Sequence, residues 1–278
     1  MFQSFITPGI PWAVFWLFVA VAIVIQGISK SGFAGGAGIL SLPLMMLVMP
    51  VDKVSATLLP LLILCDFNAI YHHRHNKAWD KILAVYIPSI FGIVIGAYVW
   101  WRIGKAGINT YGVYIKQFVG VIGIVFSAYI ILRESAQTWV AQYKPGPIAA
   151  WTAGISAGFC STIAHAAGPI VGLFLFAQGM GKSLFVGTTA WTFTLINLTK
   201  LPFYFAVGLI HNDVLLFDLM LVPLIPIGSA LGKWMHHRIS ETLFNRVILV
   251  LTVLAAIQLL ADKNVILIAL QAVFPAPK

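Results

Sequence analysis

Two glycine-rich stretches determine how this chain is expected to fold. Residues 27–38 read GISKSGFAGGAG, and residues 154–169 read GISAGFCSTIAHAAGP. The first stretch holds five glycines in twelve residues, and each glycine in a regular helix costs about 1 kcal/mol relative to alanine. In each case a Gly-Phe pair is followed by a proline eleven residues after the glycine, from Gly32 to Pro43 and from Gly158 to Pro169. We therefore expect a broken helix at each stretch.

The rest of the chain is strongly apolar. Of 278 residues, 60% are hydrophobic and 9% are charged, whereas a soluble domain carries roughly 25% charged residues. The mean hydropathy is +0.95, and about 20 apolar residues in a helix cross a bilayer. Ten apolar runs are bounded by charge, glycine or proline: 11–29, 36–50, 53–71, 81–101, 115–133, 147–164, 168–180, 184–209, 213–235 and 243–261. The sequence predicts an all-α polytopic membrane protein.

Two of these runs are shorter than a bilayer crossing. The runs at 36–50 and 168–180 come directly after the glycine-rich stretches, so each is expected to be a half-helix, a re-entrant segment or a short internal span. We predict about 8–10 spanning or half-spanning helices.

Further pairs of segments extend the repeat. Residues 54–57 (VSAT) resemble residues 186–189 (VGTT), and in that register Asn68 falls opposite Lys200. The simplest account is an N-terminal repeat at 1–140 and a C-terminal repeat at 141–278 within one membrane domain, an organisation that many secondary transporters share.

The positions of lysine and arginine predict the orientation of these repeats. If all ten runs cross the membrane, the loops after odd-numbered runs hold ten of these residues and the opposite side holds six, with Lys200 inside a run. Cytoplasmic loops are enriched in lysine and arginine, so the odd-run loops are predicted to be cytoplasmic. Five crossings in each half make the two repeats inverted relative to each other.

A broken helix in a membrane exposes backbone amides. At a half-helix N-terminus these N–H groups, together with the positive end of the helix dipole, suit an oxyanion. The alternative is that the small residues only allow helices to pack closely. Because the pattern occurs in both halves, we favour a binding site between the stretches, formed by Gly35 and Gly36 of the first and by Ser161, Thr162 and His165 of the second.

The order and duplication of these motifs resemble the TauE/SafE family of sulfite and organosulfonate exporters. The resemblance rests on the two Gly-Phe to Pro segments, on residues 186–190 (VGTTA), and on the segment from Asn197 to Lys200. It implies secondary transport of a small anion such as sulfite or sulfoacetate, exported through the bacterial inner membrane and coupled to the proton gradient. The sulfur anion, the direction and the proton stoichiometry stay open, as does a homodimer.

Lys200 is the most informative single residue. It lies inside the run 184–209, where an unpaired charge costs about 2.5 to 3.5 kcal/mol on insertion scales. We predict that it faces the bundle interior and attracts the anionic substrate. The alternatives are a structural partner for an intramembrane carboxylate or a side chain that extends to the membrane surface.

Five other polar residues are candidates for the same site. Asp66 is the carboxylate that we expect either to partner Lys200 and carry a coupling proton, or to pair with Arg74 or Lys77. Asn68 and Asn197 suit hydrogen bonds to sulfonate oxygens, although such amides also join helices. His165 is either a packing residue or a second proton-coupling group, because imidazole titrates near neutrality. Lys30 either draws anions to the first stretch or marks a cytoplasmic border.

Several other functions are disfavoured. The histidines at 72–75 and 236–237 lack cysteine or carboxylate at a usual ligand spacing, so neither a metal nor another cofactor is predicted. Walker-type nucleotide motifs are absent. Despite a net charge of +9, the basic residues are scattered between apolar runs, which argues against nucleic acid. The expected partners are the anion, protons and lipid.

Two competing hypotheses stay open beside the exporter. The first is an intramembrane enzyme in which Ser161 or Cys160 would be the nucleophile and His165 the base. The second is a passive anion channel. We predict a transporter and no enzymatic activity.

Overall fold

A computed structural model of the chain describes residues 2–32, 36–142, 145–262 and 268, and its secondary structure there is entirely helical. Eleven α-helices follow one another along the described residues, together with short 3-10 helices at Gln3–Phe5 and Gly36–Leu40. The α-helices are α1 Trp12–Gly32, α2 Ser41–Met46, α3 Val51–His73, α4 Trp79–Ala106, α5 Ile108–Gln142, α6 Pro147–Ala164, α7 Gly168–Phe176, α8 Lys182–Ala206, α9 Asn212–Leu221, α10 Leu224–Arg238 and α11 Glu241–Leu260.

Helical stretches long and apolar enough to cross a membrane confirm the predicted class. Five occur among the described residues: Trp12–Lys30, Val51–Tyr71, Trp79–Ala106, Thr110–Ala128 and Asn212–Met235. The polar and apolar side chains are also distributed as lipid requires. Leu17, Val125 and Leu219 are about three-fifths exposed, whereas Asp66 of α3 and Lys200 of α8 are completely buried. The chain is an all-α, multi-pass membrane protein.

The short elements lie where the sequence predicts breaks. The run at 36–50 forms the 3-10 helix Gly36–Leu40 and α2, and the run at 168–180 forms the nine-residue α7. The run at 213–235 is kinked, because Ile225 N–H donates to the carbonyl of Val222 at 3.1 Å, beside Pro223, which has no N–H to donate. The run therefore comprises two helices, α9 and α10, within one apolar stretch. The short apolar stretch that follows Asn264 in the sequence lies outside the described residues except for position 268.

The first short segment runs antiparallel to α1. The hydroxyl of Ser41 donates to the carbonyl of Ala22 at 2.8 Å, in the middle of α1. Beyond α2, the carbonyl of Val48 accepts a hydrogen bond from Thr7 N–H at 2.9 Å, just before α1 begins. The segment therefore returns to the end of the bundle at which α1 starts, as expected of a short crossing rather than a surface loop.

Helices α3 and α8 cross antiparallel to each other. Near the end of α3, Asn76 Nδ2 donates to Ser183 Oγ at 2.8 Å, at the start of α8. Farther along, Asn197 Nδ2 of α8 donates to Asp66 Oδ2 of α3 at 2.6 Å. These two contacts fix the directions of the helices and place Asp66 and Asn197 inside the crossing.

Glycines mediate the closest helix contacts. Helix α4 packs on α6, α1 on α10 and α5 on α11. A Cβ atom on Gly158 of α6 would lie 2.0 Å from the Ser89 carbonyl oxygen of α4, and one on Gly27 of α1 would lie 2.9 Å from the Cα of Gly228 of α10. No side chain fits at either contact, so small residues are needed there for packing.

Candidate functional site

Lys200 lies at the centre of the site. Its side chain on α8 is completely buried. The Nζ donates to the Ser161 carbonyl oxygen at 3.1 Å and lies 3.2 Å from His165 Nδ1. Both acceptors are neutral groups at the end of α6. The ion pairs in the described part of the chain involve other lysines, so no carboxylate in that part of the chain contacts the buried Lys200 amine directly.

The imidazole of His165 joins Lys200 to α3. Its Nε2 lies 3.0 Å from the carbonyl oxygen of Ser55. A carbonyl only accepts hydrogen bonds, so the proton is assigned to Nε2, and Nδ1 then accepts from the Lys200 ammonium. This network holds the imidazole neutral, with both ring nitrogens in use.

The backbone of His165 explains why its side chain projects between helices. His165 follows the last residue of α6 in the left-handed region, with φ 48° and ψ 28°. Its N–H donates to the Ser161 carbonyl and Ala166 N–H donates to the Cys160 carbonyl, which together end α6. A non-glycine residue in this region costs roughly 1–2 kcal/mol. Strain of this kind is often found at functional sites.

Asp66 is paired, but not with the residues that the sequence suggested. Its side chain is completely buried, and its Oδ1 accepts from Lys30 Nζ of α1, while its Oδ2 accepts from Asn197. The expected pairing with Arg74 or Lys77 is not formed. The Arg74 Nε donates to His75, and Lys77 Nζ donates to the carbonyl of Arg74. Packing of α1 beside α3 brings Lys30 to Asp66.

Thr162 takes part in a group of hydrogen bonds that the sequence did not indicate. Its hydroxyl donates to the Gly158 carbonyl at 2.8 Å. Its own carbonyl accepts from Trp100 Nε1 at 2.9 Å and from the Tyr204 hydroxyl at 2.6 Å. Trp100 and Tyr204 are completely or almost completely buried and fix the end of α6. The sequence contains one indication of a role for Trp100 or Tyr204, namely that Tyr204 lies one helical turn after Lys200.

The remaining predicted residues lie farther from Lys200 or are only partly described. Asn68 Nδ2 lies 3.5 Å from Ser229 Oγ of α10, away from the other site contacts. Gly36 begins the second 3-10 helix, Gly36–Leu40, which contacts α7, whereas Gly35 lies outside the described residues. The two short segments named in the sequence analysis therefore do meet.

Three buried hydroxyls on α3 and α8 have no hydrogen-bond partner among the described residues: Ser55 Oγ, Thr57 Oγ1 and Thr189 Oγ1. The sequence comparison paired the segments 54–57 and 186–189, but it did not single out these hydroxyls. Threonines in membrane helices commonly bond back to the preceding turn, as Thr192 does to the Thr188 carbonyl. The hydroxyls of Thr57 and Thr189 are instead free to bind another group.

The geometry bears on the enzyme and metal hypotheses. Both His165 nitrogens are occupied by Lys200 and Ser55, so neither is placed to take a proton from Cys160 or Ser161. Within the described residues, no cluster of three or more His, Cys, Asp or Glu suits a metal. The side chains of the histidines at 72, 73, 236 and 237 lie outside the described set.

A helical membrane protein with buried, charged side chains at the crossing of two antiparallel helices has the construction of a membrane transporter. The family model described as sulfite exporter TauE/SafE matches residues 18–259. The chain belongs to this family, a family of transporters, which confirms the resemblance found in the sequence. The comparisons with curated proteins and with solved structures found no match.

Proposed function

We propose that this protein is a secondary transporter that exports sulfite or an organosulfonate, such as sulfoacetate, across the bacterial inner membrane, and that the anion binds beside Lys200. The observation that carries this proposal is the burial of the Lys200 ammonium without a described carboxylate partner. An uncompensated charge in a membrane costs about 2.5 to 3.5 kcal/mol on insertion scales. A substrate anion would supply the missing counter-charge.

The start of α7 supports the same location. Helix α7 begins at Gly168, three residues after His165, and His165 is in contact with Lys200. The first N–H groups of a helix lack partners within it and carry the positive end of the dipole. An oxyanion between Lys200 and α7 would therefore receive hydrogen bonds from both, in the manner of anion sites at helix N-termini.

The charge at the site is consistent with proton coupling. Lys30, Asp66 and Lys200 together carry a net charge of +1 when all are ionised. A singly charged anion neutralises this charge, whereas a doubly charged anion leaves one negative charge that a proton can neutralise. His165 is a candidate for that proton, because protonation of its Nδ1 would break the hydrogen bond from Lys200 and free the ammonium for the anion.

Burial favours a carrier over the passive channel. Lys200 and Asp66 are both fully buried, so this conformation closes them off from both sides of the membrane. A carrier must pass through such closed conformations, whereas a conducting channel needs a continuous open path.

The helix pairing supports two inverted repeats, at 1–140 and 141–278. If each helix is replaced by its equivalent in the other half, the contact of α1 with α10 becomes the contact of α6 with α4. The α3–α8 and α5–α11 contacts each join two equivalent helices and are therefore unchanged. Equivalent helices α3 and α8 run antiparallel, as inversion requires. In the register that aligns Asn68 with Lys200, Asp66 is equivalent to Leu198, next to its partner Asn197. The Asp66–Asn197 bond thus lies near the proposed two-fold axis.

Transport by purified protein in proteoliposomes tests this proposal. Labelled sulfite, sulfoacetate, taurine and sulfate would be offered with and without an imposed pH gradient. We expect gradient-dependent movement of sulfite or a sulfonate by the wild type and none by Lys200→Ala. Lys53→Ala is the matched control, because Lys53 already pairs with Asp213 at 3.1 Å, and its transport should persist. The proposed substrate class would be wrong if folded wild-type protein moved none of the four compounds.

A further inference from the structure

Helix α9 contains a buried carboxyl that the proposed site does not use. Asp218 is 3% exposed, and neither of its side-chain oxygens has a hydrogen-bond partner in the described structure. Its neighbours on the same face, Val214, Phe217 and Leu221, are also buried. Asp218 therefore lies on the buried face of α9, and α9 packs against α3.

The surroundings of Asp218 disfavour its charged form. Helix α3, which packs against α9, carries the titratable residues Asp52, Lys53, Cys65, Asp66, Tyr71, His72 and His73. The last three lie roughly 27 Å or more along the helix from Lys53, which pairs with Asp213 of α9, and so are far from Asp218. Lys53 is paired with Asp213, and Asp66 accepts from Lys30. Asp52 is a second carboxylate, and its Oδ1 also lacks a partner. No cation on α3 is therefore left to compensate Asp218.

The aromatic side chains packed beside Asp218 belong to segments that supply no cation either. The ring of Phe217 packs against Phe5 and Trp16, with ring centroids 4.6 Å and 5.4 Å away. Residues 12–29 of α1 and the helix Gln3–Phe5 contain no titratable side chain. An isolated carboxylate in such surroundings is too costly to stay ionised, so the carboxyl holds a proton in this closed conformation.

The carboxyl lies near one membrane face. Asp213, five residues earlier on α9, is 37% exposed on its side chain and pairs with Lys53 at the start of α3. A helix rises about 1.5 Å per residue, so Asp218 is roughly 7.5 Å deeper than Asp213. Separation of α9 from α3 would expose the carboxyl to water on that side.

We propose that Asp218 is a proton-binding site of the transport cycle, protonated while α9 is packed on α3 and ionised when that side opens. The step is a proton transfer only: the carboxyl O–H releases its proton to water when that side opens, and a proton from the opposite side of the membrane replaces it after α9 packs back on α3, so that one proton crosses in each cycle. This inference rests on the proposed transport function and adds a group outside the anion site. Asp66 differs, because both of its side-chain oxygens accept a hydrogen bond in the same conformation, one from Lys30 and one from Asn197.

The test compares Asp218→Asn with Asp213→Asn in the full-length protein. Asparagine keeps the shape of the side chain but cannot release a proton. In proteoliposomes with labelled sulfite, we expect Asp218→Asn to keep substrate exchange at equal pH and to lose accumulation driven by a pH gradient. Asp213→Asn should keep both activities. Gradient-driven accumulation at the wild-type level in Asp218→Asn would overturn the proposal.

A second measurement separates this proposal from the transport assignment. Infrared spectroscopy of the purified protein detects the C=O stretch of a protonated carboxyl. We expect such a band at neutral pH in the wild type and in Asp213→Asn, and its loss in Asp218→Asn. If the wild type moves no sulfite but this band is lost in Asp218→Asn, the proton site stands and the proposed substrate is wrong. A band unchanged by Asp218→Asn refutes the proton site.

Discussion

At the scale of single residues, substitution of Lys200 tests whether its charge serves transport or stabilises the fold. Methionine in its place would remove the cost of burying the ammonium, roughly 2.5 to 3.5 kcal/mol. It would also leave His165 Nδ1 without its donor, at about 1 to 3 kcal/mol, whereas the Ser161 carbonyl would keep its hydrogen bond from the His165 N–H. The two effects nearly offset, so we expect Lys200→Met to keep or raise the Tm in detergent while transport is lost. A large drop in Tm would identify Lys200 as a structural residue.

The unpartnered hydroxyls make a second prediction at this scale. Thr57→Val and Thr189→Val remove buried hydroxyls that bond to nothing in the described structure, so thermal stability should not fall. If these hydroxyls line the anion path, the rate of sulfite transport should fall in both variants. Thr192→Val is the control: its hydroxyl donates to the Thr188 carbonyl at 2.8 Å, and its loss should affect stability more than transport. Unchanged transport in both Thr57→Val and Thr189→Val would exclude this role.

At the scale of elements, close approach of helix backbones explains why glycines occur in the repeated segments. A methyl group on Gly158 would overlap the Ser89 carbonyl of α4, whereas one on Gly172 of α7 would meet nothing within 4 Å. We expect Gly158→Ala to destabilise the protein by at least about 1–3 kcal/mol, the usual cost of overpacking. Gly172→Ala should be neutral or slightly stabilising. Equal Tm values for the two variants would contradict the packing described for α4 and α6.

The sequence predicted these elements better than it predicted their contacts. Local composition defines helices and breaks, so the run 147–164 coincides with α6, and the short segments follow the glycine-rich stretches. The pairing of Asp66 with Lys30 was not predicted, because it depends on how α1 packs beside α3. The αL conformation of His165 was also missed, because such a position usually has glycine.

At the scale of the whole molecule, contacts between helix ends predict which loops lie on the same side of the membrane. Asn76 contacts Ser183, and Lys53 contacts Asp213, which groups the loops into two sets at opposite ends of α3. The distribution of lysine and arginine assigns the end with Asn76 to the cytoplasm.

Labelling of single cysteines measures this sidedness directly. In a background with Cys65 and Cys160 replaced by alanine, a membrane-impermeant thiol reagent should label Asn76→Cys only in inverted vesicles. It should label Asp213→Cys only in right-side-out vesicles. Labelling of both positions from one side would contradict the inverted arrangement of the halves.

The central claim is that the buried ammonium of Lys200 binds the transported anion. Calorimetric titration of sulfite or sulfoacetate into detergent-solubilised protein tests it most directly, because binding is measured apart from coupling and direction. We predict saturable binding to the wild type and to Lys53→Ala, and no measurable binding to folded Lys200→Met. Undiminished binding of the same anion to Lys200→Met would contradict the account.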